Sequence, residues 1–179
     1  MQFRIEHVFR NITLEQYGKL YFDEDFNIAM CEDVKLARRV VERDVTPERV
    51  HRVLVVGPDR EIPAPAAKVL GSNRIEYTEH LDFDFGTYTG QWKTVSSLMT
   101  EKVDARGSLR FSDAGGGVRR VVEGDIKVKI FGVGTMVEKF VVADIEKSYE
   151  RAAAFTQKWI DGGKVGPFTQ PWIDGGKLG

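Results

Sequence analysis

VRRVVEGDIKVKI (118–130), FGVG (131–134) and TMVEKFVVADIEKSYERAAAFTQKWI (135–160) form the stretch that decides the fold. In the first segment Val118, Val122, Ile126, Val128 and Ile130 share one face, while Arg119, Glu123, Asp125, Lys127 and Lys129 take the other. A period of two with one apolar side is a strand of a sheet that is covered on one face and wet on the other. Gly132 and Gly134 break that pattern, and the period then becomes helical. From about Thr135 to Ile160, Val137, Val141, Ile145, Tyr149, Ala152, Thr156 and Trp159 form one stripe. Lys139, Glu146, Lys147, Glu150, Gln157 and Lys158 lie opposite. A single amphipathic helix of this length is longer than a typical globular helix, and its stripe has to be buried against the sheet.

Working outward, the chain supplies that sheet. Gln2 to Phe9 alternates, with Phe3, Ile5, His7 and Phe9 on one face. Thr13 reads as a helix N-cap, and helical text continues to about Cys31 with a break near Asp23. Lys35–Val45 and Arg49–Val56 are valine-rich segments joined by Thr46-Pro47-Glu48, a hairpin pattern. Pro58–Gly71 reads as a loop carrying one or two helical turns. Four more strands are predicted at about Arg74–Phe83, Tyr88–Leu98, Val103–Phe111 and Val118–Ile130. Short turns between consecutive strands give an antiparallel meander. The predicted class is α+β: a bent antiparallel sheet of about seven strands wrapped around a long C-terminal helix, with short helices after the first strand.

Composition narrows the functional classes. Lys plus Arg number 26 against 27 Asp plus Glu, so no global charge draws the chain to nucleic acid. The single cysteine, Cys31, excludes an internal disulfide and a cysteine-based metal site. Three histidines without tight spacing do not make a metal site, and no cofactor motif is present. No signal-like or membrane-spanning run is found, which leads to the expectation of a cytoplasmic protein.

Four segments carry a family resemblance: Ile5-Glu-His-Val-Phe9, Leu70-Gly-Ser-Asn-Arg-Ile-Glu-Tyr-Thr-Glu-His80, Val122-Glu-Gly-Asp-Ile-Lys-Val-Lys129 and Ala152-Ala-Ala-Phe-Thr-Gln-Lys-Trp159. With the element order, they resemble the helix-grip fold of the START-like (SRPBCC) superfamily, in a bacterial branch of the domain-of-unknown-function 2505 type. The first two are also similar to the PRELI-type domains that carry phospholipids between mitochondrial membranes. The resemblance implies a domain at 1–161, followed by a glycine- and proline-containing tail at 162–179. It does not fix one function, because this fold serves carriers, receptors, cyclases and oxygenase subunits.

The candidate site follows from facing. His7 and Glu79 are ionisable groups on apolar strand faces, a costly placement unless they are paired. Either they anchor a ligand headgroup or form an acid/base dyad, or each is satisfied structurally; no catalytic residue beyond these two candidates is offered. Tyr77, Tyr88, Trp92 and Tyr149 combine apolar area with one polar tip, which suits both an amphipathic ligand and ordinary core packing. Val141 and Ile145 complete the expected ligand-binding wall. Ala66, Val69 and Leu70 are expected to act as a gate. Arg38, Arg39, Arg43, Arg49 and Arg52 crowd one hairpin and, interleaved with Glu42, Asp44 and Glu48, read as a solvated face. The leading reading is binding, and transfer, of a hydrophobic or lipid-like ligand in an internal cavity, with transient membrane contact. The alternatives are a cyclase or dehydratase using His7 with Glu79, and an adaptor. The adaptor reading rests on the tail, where FTQKWIDGGK (155–164) recurs as FTQPWIDGGK (168–177), leaving Phe168 and Trp172 to dock a protein partner or to form a passive duplication.

Overall fold

The structure is a computed structural model that describes residues 1–58, 76–97 and 101–166, together with positions 64, 67, 68, 72 and 74. Its elements run β1 (Gln2–Arg10), α1 (Leu14–Tyr21), α2 (Glu24–Val34), β2 (Leu36–Val45), β3 (Arg49–Pro58), β4 (Tyr77–Asp84), β5 (Thr89–Ser96), β6 (Val103–Asp113), β7 (Gly117–Val128) and α3 (Gly134–Asp161). The strands make one antiparallel sheet in the order β1-β7-β6-β5-β4-β3-β2. Every pair but β1–β7 is a sequence neighbour, so short turns alone dictate most of the sheet. The pairing of β1 with β7 brings the first strand back beside the last, with His7 opposite Arg120 and Phe3 opposite Gly124.

Local chemistry places the helices. Thr13 caps α1 through a full capping box with Gln16, and the Asp23 carboxylate accepts from the Phe26 N–H to start α2. These caps satisfy amide donors that have no partner inside the helix. Lys35 ends α2 in the left-handed region, at φ 61°, and redirects the chain into β2. The long helix α3 packs against β1, β7 and α2. Beneath α1 an aromatic cluster fills one end of the molecule: Tyr17 stacks on Phe9 and meets Phe111 edge-on, with both centroid distances 4.9 Å.

Among the described residues the strands and helices come in the order expected from the sequence, with differences that matter at two places, while most of the expected loop Pro58–Gly71 lies outside the described residues. The strand predicted to begin at Tyr88 begins instead at Thr89, and Tyr88 occupies the β4–β5 turn at φ 52°. The arginine-rich hairpin is not a solvated face throughout. Arg39 and Arg49 are exposed, but the side chains of Arg38, Arg43 and Arg52 are only 8%, 8% and 7% exposed. The reason is that α2 lies against β2. Arg38 reaches Glu24 on α2 with two hydrogen bonds of 2.8 and 2.9 Å, and Arg52 falls on the inward face of β3 with Val50 and Leu54. The expected gate residues Ala66, Val69 and Leu70 lie outside the described residues, as does the second copy of the tail repeat.

Candidate functional site

Between the sheet and α3 lies a cavity of about 600 Å³. Its wall is assembled from cross-strand rows, because partners in register put their side chains on the same face. One row runs Arg52, Leu81, Trp92, Gly107, Gly124 and Phe3 across six strands. The two glycines are sterically required. A Cβ on Gly107 would sit 1.9 Å from the Glu123 carbonyl oxygen, and one on Gly124 would sit 2.5 Å from the Phe3 ring. The rings of Phe3 and Trp92 close over this bare backbone, 6.2 Å apart and stacked. The next row is Leu54, Glu79, Thr94, Ala105 and Ile126. Beyond it, Val56, Tyr77 and Ser96 form one run and Val103 with Val128 another. Val137, Val141 and Ile145 of α3 face these rows across the cavity. The exposed lining residues Ala143 and Lys147 mark where the cavity meets solvent.

Polar groups are few and concentrated. Arg52 donates to Glu79 at 3.1 Å, and its guanidinium lies 5.5 Å from the Phe22 ring centre. At the base, beside the aromatic cluster, Arg120 is 3% exposed. Its guanidinium is clamped between the rings of Phe9 and Tyr149, each 5.1 Å away. Arg120 Nη2 donates to His7 Nδ1 at 3.1 Å, and His7 Nε2 lies 3.1 Å from a Glu150 carboxylate oxygen. An arginine can only donate, so this geometry selects the neutral His7 tautomer that carries its proton on Nε2 and gives it to Glu150. Burial, and after it the charge of Arg120, hold the His7 imidazole below its ordinary value of 6.5, against the pull of Glu150. Burial pushes the hydroxyls of Tyr17, Tyr21, Tyr77 and Tyr149 upward, so they are neutral donors at physiological pH. Burial likewise raises the Cys31 thiol, which leaves it protonated and a poor nucleophile.

The structure therefore gathers Tyr77, Glu79, Trp92, Val141, Ile145 and Tyr149 around one cavity. His7 and Tyr88 are not among its lining residues. The expected His7–Glu79 dyad does not form: His7 is engaged by Arg120 and Glu150, and Glu79 by Arg52. Each ionisable group thus has a partner of its own, which is how buried charge is ordinarily tolerated. Arg120 and Arg52 were missed as site residues. Both lie in phase with apolar neighbours, Arg120 between Val118 and Val122 and Arg52 between Val50 and Leu54. That parity was the available signal, but neighbouring surface charges such as Arg119 and Arg49 masked it. Tyr17 and Tyr21 reach the cavity from α1, a placement that no strand period encodes. Among the described residues there is no group of three His, Cys, Asp or Glu side chains placed to hold a metal ion, and no helix is long and apolar enough to cross a membrane.

A curved antiparallel sheet closed by a long C-terminal helix over an internal cavity is the helix-grip architecture of the START-like superfamily. A family model described as a protein of unknown function (DUF2505) matches residues 6–160, and the chain belongs to that family. Among solved structures, a protein of Thermus thermophilus aligns with a TM-score of 0.62 at 14% identity, covering 91% of this chain and 99% of that one. The Zhui aromatase/cyclase from a Streptomyces species aligns with a TM-score of 0.60 at 10% identity, covering 89% and 96%. Ara h 8.0201 aligns with a TM-score of 0.59 at 14% identity, covering 88% and 98%. At these identities the likeness is one of fold. A search of curated proteins gives no match.

Proposed function

We propose that this protein binds an amphipathic, largely hydrophobic small molecule between its sheet and α3, and releases it to or takes it from a membrane or a partner. The observation that carries this reading is the cavity itself. A volume of about 600 Å³ lies in the middle of the range of roughly 300–1,000 Å³ found for small-molecule sites, and apolar walls with a few convergent polar groups are their usual lining. Valine, leucine and isoleucine side chains from the sheet and from α3 supply the walls, and Arg52, Glu79, Arg120 and the tyrosines supply the polar groups. A domain with no use for this space gains stability by filling it, since an empty apolar cavity forfeits dispersion contacts. Half-burial of Val141, Ile145 and Tyr149 supports the same reading, because these side chains pack against the core on one side and line the space on the other.

The test is native mass spectrometry of the full chain purified without detergent, with solvent extraction of the same sample. A non-covalent adduct that disappears on denaturation and is recovered as an amphipathic molecule in the extract is the expected result. A bare mass, together with failure of the protein to enhance the fluorescence of the neutral apolar dye N-phenyl-1-naphthylamine, would overturn the proposal.

A further inference from the structure

Arg120 is a buried cation without a carboxylate of its own. Among the described residues its acceptors are neutral, His7 Nδ1 at 3.1 Å and, less well aligned, the Tyr17 hydroxyl, and its Nε, like those of Arg38 and Arg52, is buried without a hydrogen-bond partner. The contrast with the other arginines that line the cavity is direct. Arg52 has Glu79 at 3.1 Å and Arg38 has both oxygens of Glu24. The nearest carboxylate in the Arg120 chain of contacts is Glu150, reached only through the His7 ring and itself on the exposed side, with its side chain 73% exposed. The Tyr17 hydroxyl, also buried, lies beside the same guanidinium and interacts with it, a neutral group that leaves the cation without a counter-charge. A buried cation with no carboxylate of its own is expensive in a finished core and usual where a ligand supplies the negative charge.

We infer that Arg120, assisted by the Tyr17 hydroxyl, receives the acid group of a monoanionic amphipathic ligand, a carboxylic acid on an apolar body, at the closed base of the cavity. This rests on the ligand-binding reading above and adds the ligand's charge and orientation. The choice of a carboxylate follows from counting charge. One uncompensated guanidinium, surrounded by neutral tyrosines and a neutral histidine, balances one negative charge, whereas a dianionic phosphate would need a second free cation, and Arg52 is already neutralised by Glu79. A planar carboxylate also matches the fork of a guanidinium whose two faces are already covered by Phe9 and Tyr149. The apolar body then lies along Ile126, Val128, Val137 and Val141, towards the opposite end of the cavity.

The experiment compares decanoate with 1-decanol, two probes of one chain length that differ in charge, by displacement of N-phenyl-1-naphthylamine from the full-length protein at pH 8. Decanoate is expected to bind the unmodified protein at least about tenfold more tightly than decanol, a difference of about 1.4 kcal/mol. In Arg120→Met the preference should vanish while decanol affinity stays within about threefold. Arg120→Lys, which keeps the charge without the fork, should retain part of the preference. Equal binding of both probes to the unmodified protein overturns the acid-group inference and leaves the cavity reading standing. An undiminished preference in Arg120→Met also overturns it. Failure of dye and both probes to bind sinks the cavity reading itself. The comparison on the unmodified protein needs no variant, so it decides the matter even where Arg120→Met does not fold.

Discussion

Replacing Glu79 with glutamine removes the negative half of a buried ion pair while keeping the shape of the side chain. Arg52, 7% exposed at its side chain, would then lose its hydrogen-bonded counter-charge beside the Phe22 ring. Breaking a fully buried pair costs about 3–5 kcal/mol, because the surviving charge has been desolvated for nothing. Glu79 is 26% exposed towards the cavity, so water screens part of that cost. A loss of about 1.5–3 kcal/mol is the discounted figure. For a domain of this length it corresponds to a fall in melting temperature of roughly 3–12 °C. The assay is thermal and urea denaturation followed by circular dichroism, on Glu79→Gln and on the cycle formed by Glu79→Leu, Arg52→Met and the double variant Arg52→Met/Glu79→Leu. The double variant should recover at least half of the loss seen in either single change, since an apolar pair of similar volume carries no desolvation penalty. Strictly additive losses in the cycle, or a Glu79→Gln protein that melts with the unmodified one, would show that the pair does not couple and that the energetics of the cavity wall have been misassigned.

Three further outcomes follow from particular contacts. Gly107→Ala places a methyl group against the Glu123 carbonyl and the Trp92 ring, so urea unfolding should show a loss of about 1–3 kcal/mol, whereas Gly115→Asn, in an open left-handed turn, should change little. His7 titrates below 6.5 in the folded protein, so the unfolded chain binds more protons as pH falls, and stability should drop on going from pH 7.5 towards pH 5; urea titrations of His7→Gln should lack that part of the slope, and an unchanged slope would remove His7 as its source. On α3, Val142 is buried in the hydrophobic core and Ile145 is half-buried at the cavity, so Val142→Asp should abolish cooperative melting while Ile145→Asp leaves a folded protein that no longer takes up N-phenyl-1-naphthylamine.

The last of these turns on what a helical period can and cannot report. Helical period put Val141 and Ile145 on a stripe that had to turn from water, and both were expected in the ligand-binding wall. Period reports which side of a helix turns from water; it does not report whether that side meets side chains or a space. The same limit applies to Glu79. Strand alternation placed it on one face with Leu81 and Phe83, and it lines the cavity, but pairing it with His7 required knowing which inward groups are neighbours. That depends on register between strands far apart in sequence: β1 meets β7, so His7 comes opposite Arg120, while Glu79 meets Leu54 one position from Arg52's row.

Strand and helix periods, turn residues and caps are local quantities, and with them the amino-acid sequence determined the element order, the antiparallel meander, the long closing helix and hence the helix-grip class. Sheet curvature, the row of rings over Gly107 and Gly124, the cavity and the partners of every buried charge are set by contacts between segments far apart along the chain. Only the tertiary structure could decide those. A guanidinium such as that of Arg120 is equally compatible in sequence with a solvated sheet face and with the base of a binding site, and what separates the two is whether the rings of Phe9 and Tyr149, from opposite ends of the chain, close around it.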